Sequence, residues 1–183
     1  MIAQRPEWPL SRIALALTDL GANTFSAPLA RAALAAAREP ATRAGLPRLL
    51  RLMEIAHNAD VMPAVDQLLR RPDELGAEVI APCLRLLDDP REAHWARRFA
   101  THEVWFVRVS AAHALLRIGV ATDVDLLNRL LCDTHWWVRY RAAQALAHLP
   151  ELSADALMQL ADTHQDRFAA EMMRQVLAER DLS

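Results

Sequence analysis

Apolar and polar positions along this chain follow a helical period almost throughout. In His135–Leu149, "HWWVRYRAAQALAHL", the residues Val138, Ala142, Ala145, Leu146 and Leu149 fall at i, i+4, i+7, i+8 and i+11, a stripe along one side of a helix. The period is interrupted at turn formers: Gly21-Ala22-Asn23, Glu39-Pro40, Arg71-Pro72-Asp73, Asp88-Asp89-Pro90, Gly119 and Leu149-Pro150. β-Branched residues are sparse beside Ala, Leu and Arg, so propensity agrees with the pattern. Helices are predicted at 10–20, 26–38, 44–57, 61–70, 74–88, 91–101, 104–118, 123–132, 135–148, 153–162 and 166–180.

The elements repeat. A shift of 31 carries Trp105, Phe106, Val107 and Arg108 onto Trp136, Trp137, Val138 and Arg139, and Ala111, Ala112, Ala114 and Leu115 onto Ala142, Ala143, Ala145 and Leu146. The preceding helix obeys the same shift, with Trp95, Phe99 and Ala100 falling on Leu126, Leu130 and Leu131. One step back lie Ala64, Leu68 and Leu69, followed by Ile80, Ala81, Cys83 and Leu84. The triplet Asp133-Thr134-His135 returns as Asp162-Thr163-His164, two residues out of register. A two-helix unit of this length has no partner for its own apolar stripe, so neighbours must stack and bury it between them.

These residues resemble the HEAT-repeat family in its short-repeat, phycocyanobilin-lyase-like bacterial variety. There the second helix opens with Asp, a short gap, Val-Arg and then Ala-Ala-x-Ala-Leu, matched here by Asp133, Val138, Arg139, Ala142, Ala143, Ala145 and Leu146. The resemblance implies an all-α fold, an α-α superhelix forming a right-handed solenoid of about five two-helix repeats. It implies one domain over 1–183, with a cap at 1–25, divergent repeats at 26–90 and clear repeats at 91–183. It also implies a ladder of Asp and Arg running from repeat to repeat, here Asp133, Arg139 and Arg108. His102 stands where the upstream Asp would be.

Composition narrows the chemistry. Of 183 residues 53% are hydrophobic and 24% charged, enough apolar material for a globular core. The formal charge of -2 supplies no positive field for a polyanion, so nucleic acid is a disfavoured partner. All 21 basic residues are Arg, a bias expected of a high-GC bacterial genome, and one that brings fork-shaped donors and aromatic stacking. Cys83 and Cys132 lie within helical patterns outside any C-x-x-C pair and read as two buried reduced thiols of a cytoplasmic protein. No stretch is apolar enough to span a bilayer.

The seven histidines do not form a ligand pattern, because His135 and His164 lack a carboxylate or second His at i+4; no metal and no cofactor is expected. HEAT-fold hydroxylases that bind two irons carry His-Glu directly after Val-Arg, where this chain has Tyr140-Arg141 and Val109-Ser110. Arg70-Arg71 and Arg97-Arg98 read as solvated faces, and at least one of Trp105 and Trp136 is expected to be buried against a neighbouring repeat.

What remains is the stripe beside the core stripe. It holds Trp137, Arg141, Gln144 and His148, flanked by Trp136 and Tyr140, with Phe106, His113 and Arg117 one repeat upstream. Second helices line the concave side of HEAT solenoids, and Trp, Tyr and Arg dominate binding energy at protein interfaces. The expectation is a protein-binding scaffold without catalysis of its own, which takes a partner segment in the concave groove lined by the second helices. The rival class is a catalytic or accessory subunit like a bilin lyase or a HEAT-fold DNA glycosylase, which would need an acid deep in an aromatic, basic pocket. The closing "DRFAAEMMRQVLAERD" resembles the end of bacterial HEAT proteins that carry an upstream membrane segment and accompany glycosyltransferases, implying the cytoplasmic part of a membrane-associated accessory protein.

Overall fold

A computed structural model describes residues 22–56 and 59–181, with Pro9, Ile13 and Leu15 as isolated positions ahead of them. The helix expected at 10–20 otherwise lies outside the described residues. Among those, regular structure is twelve α-helices and four 3-10 turns, with no strand. The chain divides into two compact units, Met1–Leu86 and Leu87–Ser183.

In the first unit α1 (Ser26–Arg38), α2 (Pro40–Arg43), α3 (Leu46–Ile55), α4 (Met62–Leu69), α5 (Pro72–Leu75) and α6 (Ala77–Arg85) follow one another. Proline occupies the first turn of α2, α3, α4 and α5, where its missing N–H has no helical acceptor to lose. The single helix expected at 74–88 is instead two. Pro72 opens a turn of its own, and Gly76, at φ 76°, breaks the ladder in the left-handed region that a side chain resists. The short α2 is also absent from the periodic pattern, being too brief to show a stripe. α1 packs on α3 and α4, and α6 on both of the latter, around Leu46, Leu50, Leu52, Met53, Leu69 and Leu84. The period appears directly as contact: Arg43 Nη1 donates to the Glu74 carbonyl at 3.0 Å and Arg85 Nε to Glu54 Oε1 at 2.8 Å, each pair 31 residues apart.

The second unit is three helical hairpins: α7 (Ala93–Phe99) with α8 (Trp105–Ile118), α9 (Val124–Leu131) with α10 (Trp136–His148), and α11 (Ala154–Thr163) with α12 (Arg167–Asp181). The second helices lie side by side, α8 on α10 and α10 on α12. Alanine makes that approach possible: Ala111, Ala112, Ala114, Ala142, Ala143 and Ala145 are fully buried, with Val107, Leu115, Val138 and Leu146 filling the layer beneath. Each buried Leu or Val contributes about 1.5–3 kcal/mol of desolvation. The turns repeat as well. Glu92 Oε2 accepts the Asp89 N–H at 3.3 Å, and 31 residues on Asp123 Oδ2 accepts the Val120 N–H at 3.0 Å. Gly119 ends α8 by close approach, since a Cβ there would meet the Leu115 carbonyl oxygen at 2.4 Å.

Candidate partner-binding face

The face is built from the loops that deliver α8, α10 and α12. α8 and α10 begin after an extended residue, and ahead of all three second helices the N–H of the last loop residue is taken by a side chain two residues earlier. His102 Nδ1 accepts the Val104 N–H at 3.0 Å, Asp133 Oδ1 the His135 N–H at 2.8 Å, and His164 Nδ1 the Asp166 N–H at 3.0 Å. These three are spaced by 31, so His164 holds the place of Asp133. The apparent return of Asp-Thr-His at 162–164 is therefore a coincidence of composition, because an imidazole nitrogen caps the turn as a carboxylate does. As acceptors at Nδ1, both histidines carry their proton on Nε2, and His164 Nε2 lies 3.8 Å from Cys132 Sγ.

Just past each loop an arginine is drawn back into it. Arg108 Nη1 donates to the carbonyls of His102 and Glu103, each at 2.8 Å, and Arg139 Nη1 to those of Asp133 and Thr134 at 2.8 and 3.2 Å. The inter-repeat bond joins Arg108 to Asp133, with Nε to Oδ2 at 2.7 Å and Nη2 to Oδ1 at 2.9 Å. Arg139 meets only the backbone of Asp133, because six residues along one loop bring the guanidinium to the carbonyl while the carboxylate turns toward the preceding repeat. Burial works against the charge of Asp133, but the Arg108 fork and the His135 N–H outweigh it and hold the carboxyl below its ordinary range. Asp123, which the sequence reading passed over, is similarly fixed: burial opposes its charge, and Arg97 at 2.6 and 3.0 Å and the Val120 N–H prevail. Arg97 is thus a bridge and not a solvated cation. Arg98 lies 5.4 Å from the ring centres of both Trp95 and Phe99.

The arginines hold the helix starts, and the aromatic side chains there turn outward. Trp105 and Trp136 are each 40% exposed, Trp137 49% and Phe168 64%. The expectation that Trp105 or Trp136 would be buried fails, since Val107 and Val138 already fill the layer under the loop and each indole lies on a neighbouring ring instead. Trp105 stacks on His135 at 3.8 Å between ring centres, and Trp136 on Tyr140 at 5.0 Å, with Trp137 edge-on to Trp136 at 4.8 Å. The rest of the α10 stripe continues from Trp137. Arg141 Nη1 donates to Gln144 Oε1 at 2.8 Å, and the exposed His148 has Nδ1 at 2.8 Å from the Gln144 carbonyl. Tyr140 donates to Glu179 Oε2 of α12 at 2.8 Å, a bond that raises the phenol's pKa.

The upstream residues form a different surface. Phe106 and His113 are half-buried, Ser110 turns inward to the Phe106 carbonyl at 3.0 Å, and Arg117 Nη2 donates to the Leu87 carbonyl at 2.5 Å. Phe168, one repeat beyond Trp137 and the most exposed of these rings, is the site-side residue the sequence reading missed. Its signal was the aromatic recurrence Phe106, Trp137, Phe168 at a spacing of 31. Of the cysteines, Cys83 is buried and desolvation pushes its thiol up, whereas Cys132 is exposed, at the C-cap of α9 and off the packed stripe.

A family model described as HEAT repeats matches residues 61–147 and again 99–178. The chain belongs to the HEAT-repeat family. Its stacked hairpins are accordingly those of an α-α superhelix, and HEAT repeats generally mediate protein–protein interaction. No curated protein matches the chain to a significant degree. Among the described residues no group of His, Cys, Asp or Glu is placed to hold a metal ion, and no helix is long and apolar enough to cross a membrane.

Proposed function

We propose that this HEAT-repeat chain is a non-catalytic scaffold that captures a protein partner in the concave groove lined by its second helices. The contact centres on Trp136, Trp137, Tyr140, Arg141, Gln144 and His148, with Phe106, His113 and Arg117 at its edge. The observation that carries the reading is the exposure of Trp105, Trp136, Trp137 and Phe168 together at the starts of three adjacent helices. Soluble monomers rarely leave so many large rings in water side by side, and Trp and Tyr beside Arg make the strongest anchors when a partner excludes that water.

The α10 side chains hold one another through the Arg141–Gln144 and Trp136–Tyr140 contacts, so little side-chain freedom is left to lose on binding. The catalytic alternative finds no support in the acids at the helix starts: the buried carboxylate of Asp123 and the nearly buried one of Asp133 are each taken up by an arginine fork. Attachment to a membrane-associated assembly in the bacterial cytoplasm fits the resemblance of the last helix and belongs to the same proposal. The test is capture from the native host by the wild type and by a Trp137→Ala, Arg141→Ala double variant. The double variant keeps its helicity and loses the partner; retention of the partner by the folded double variant would refute the assignment of this face.

A further inference from the structure

Arg108 and Arg139 hold the same position in successive repeats, each anchored by Nη1 to the corresponding two loop carbonyls of its own repeat, and they differ in one respect. The Nε and Nη2 of Arg108 hold the carboxylate of Asp133. The corresponding residue for Arg139 is His164, whose Nδ1 is occupied by the Asp166 N–H and whose Nε2 faces Cys132. Arg139 Nε is buried and has no acceptor among the described residues. A guanidinium pre-set in the geometry that binds a carboxylate one repeat earlier is thus left without one, with the Phe168 ring over it at 5.8 Å. Phe168 is itself 64% exposed, a surface ring free to change rotamer beside the guanidinium.

We infer that Arg139 takes the carboxylate of an Asp or Glu side chain from a bound peptide segment, which stands in for the missing rung, while an apolar neighbour of that acid lies on Phe168 and Trp137. This rests on the face proposed above and adds the chemistry of what it recognises. Charge complementarity fixes the occupant. The fork is positive, and the acids around it are already committed: Asp133 to Arg108, Asp166 to the Phe168 and Ala169 N–H groups, and Glu171 to Arg167. A carboxylate matches the planar two-donor fork as no neutral amide does.

The probe is a phage-displayed random dodecapeptide library selected on the full chain, followed by the enriched peptide synthesised with its acidic residue and with the matching amide. Wild type is expected to bind the acidic peptide at least about tenfold more tightly than the amide, a difference of about 1.4 kcal/mol. His164→Asp supplies the rung internally, so it should erase that preference and raise the melting temperature. Arg139→Lys keeps the charge, loses the fork and should likewise narrow the preference. Enriched peptides without a shared acid, or an acid preference that survives both substitutions, overturn the inference; if such peptides are still lost on Trp137→Ala with Arg141→Ala, the binding face itself stands. Peptides bound equally by wild type and that double variant overturn both.

Discussion

The outward stripes of α8 and α10 occupy the same register one repeat apart, and they are different kinds of surface. On α8 the positions are Phe106, Ser110, His113 and Arg117; the serine turns into its own helix and the arginine is bound to the Leu87 carbonyl. On α10 they are Trp137, Arg141, Gln144 and His148; Arg141 and His148 are both bonded to Gln144, and the indole is left half in water. A repeat fixes where a position points, while the side chain and its neighbours decide whether that position binds the protein to itself or to something else. The function proposed for this chain is therefore local to a repeat even though the fold is shared by all of them.

That contrast can be broken in several ways. The largest effect is expected from Trp137→Ala with Arg141→Ala set against Phe106→Ala with Arg117→Ala. Removing two anchors costs about 2 kcal/mol each, so partner affinity measured by calorimetry should fall at least about a hundredfold in the first variant, with the melt nearly unmoved. The second variant should lose less than about fivefold in affinity and melt several degrees lower. Equal losses of affinity would erase the distinction between the helices.

Next in size is a pair of arginines. Arg108→Ala leaves the nearly buried carboxylate of Asp133 without its counter-charge, and denaturant unfolding should report a loss of about 2–3 kcal/mol, below the ~3–5 kcal/mol of a fully buried pair because some water reaches both groups. Arg139→Ala strands no carboxylate and should cost about 1 kcal/mol or less. Ala143→Leu, between the second helices, should cost about 1–3 kcal/mol by overfilling, read as a lower urea midpoint with an unchanged slope.

The smallest effect is in pH. Asp123 and Asp133 have carboxyls held below their ordinary value in the folded chain, so their contribution is complete above the unfolded-chain value near pH 4 and is lost as pH falls through the folded values. Asp133→Asn should flatten that acid limb of the stability curve, measured by melts between about pH 2 and 5. An unchanged limb would mean that Asp133 contributes nothing to it.

Much of the architecture was legible in the sequence because stacking imposes a period, and a period of 31 is visible wherever helices are long enough to carry a stripe. The spans 26–38, 104–118 and 135–148 agree with α1, α8 and α10 to within a residue. Legibility failed where one turn decides the outcome. Gly76 and Pro72 divide a run that periodicity joins, and His164 performs an aspartate's capping role, which letter matching at Asp162 obscured. The α10 stripe was readable from helical spacing, whereas the exposure of Trp105 and Trp136 was not. Whether an indole packs inward or against a surface ring depends on how completely Val107 and Val138 have already filled the space beneath.

Three of the chain's five tryptophans stand on this one face, while Trp95 is enclosed. Indoles in water emit at longer wavelengths than indoles held away from it, so native fluorescence should be weighted toward the red, and any occupant of the face should shift it blueward. The molecule carries its own optical gauge of occupancy, and titrations on it need no attached dye.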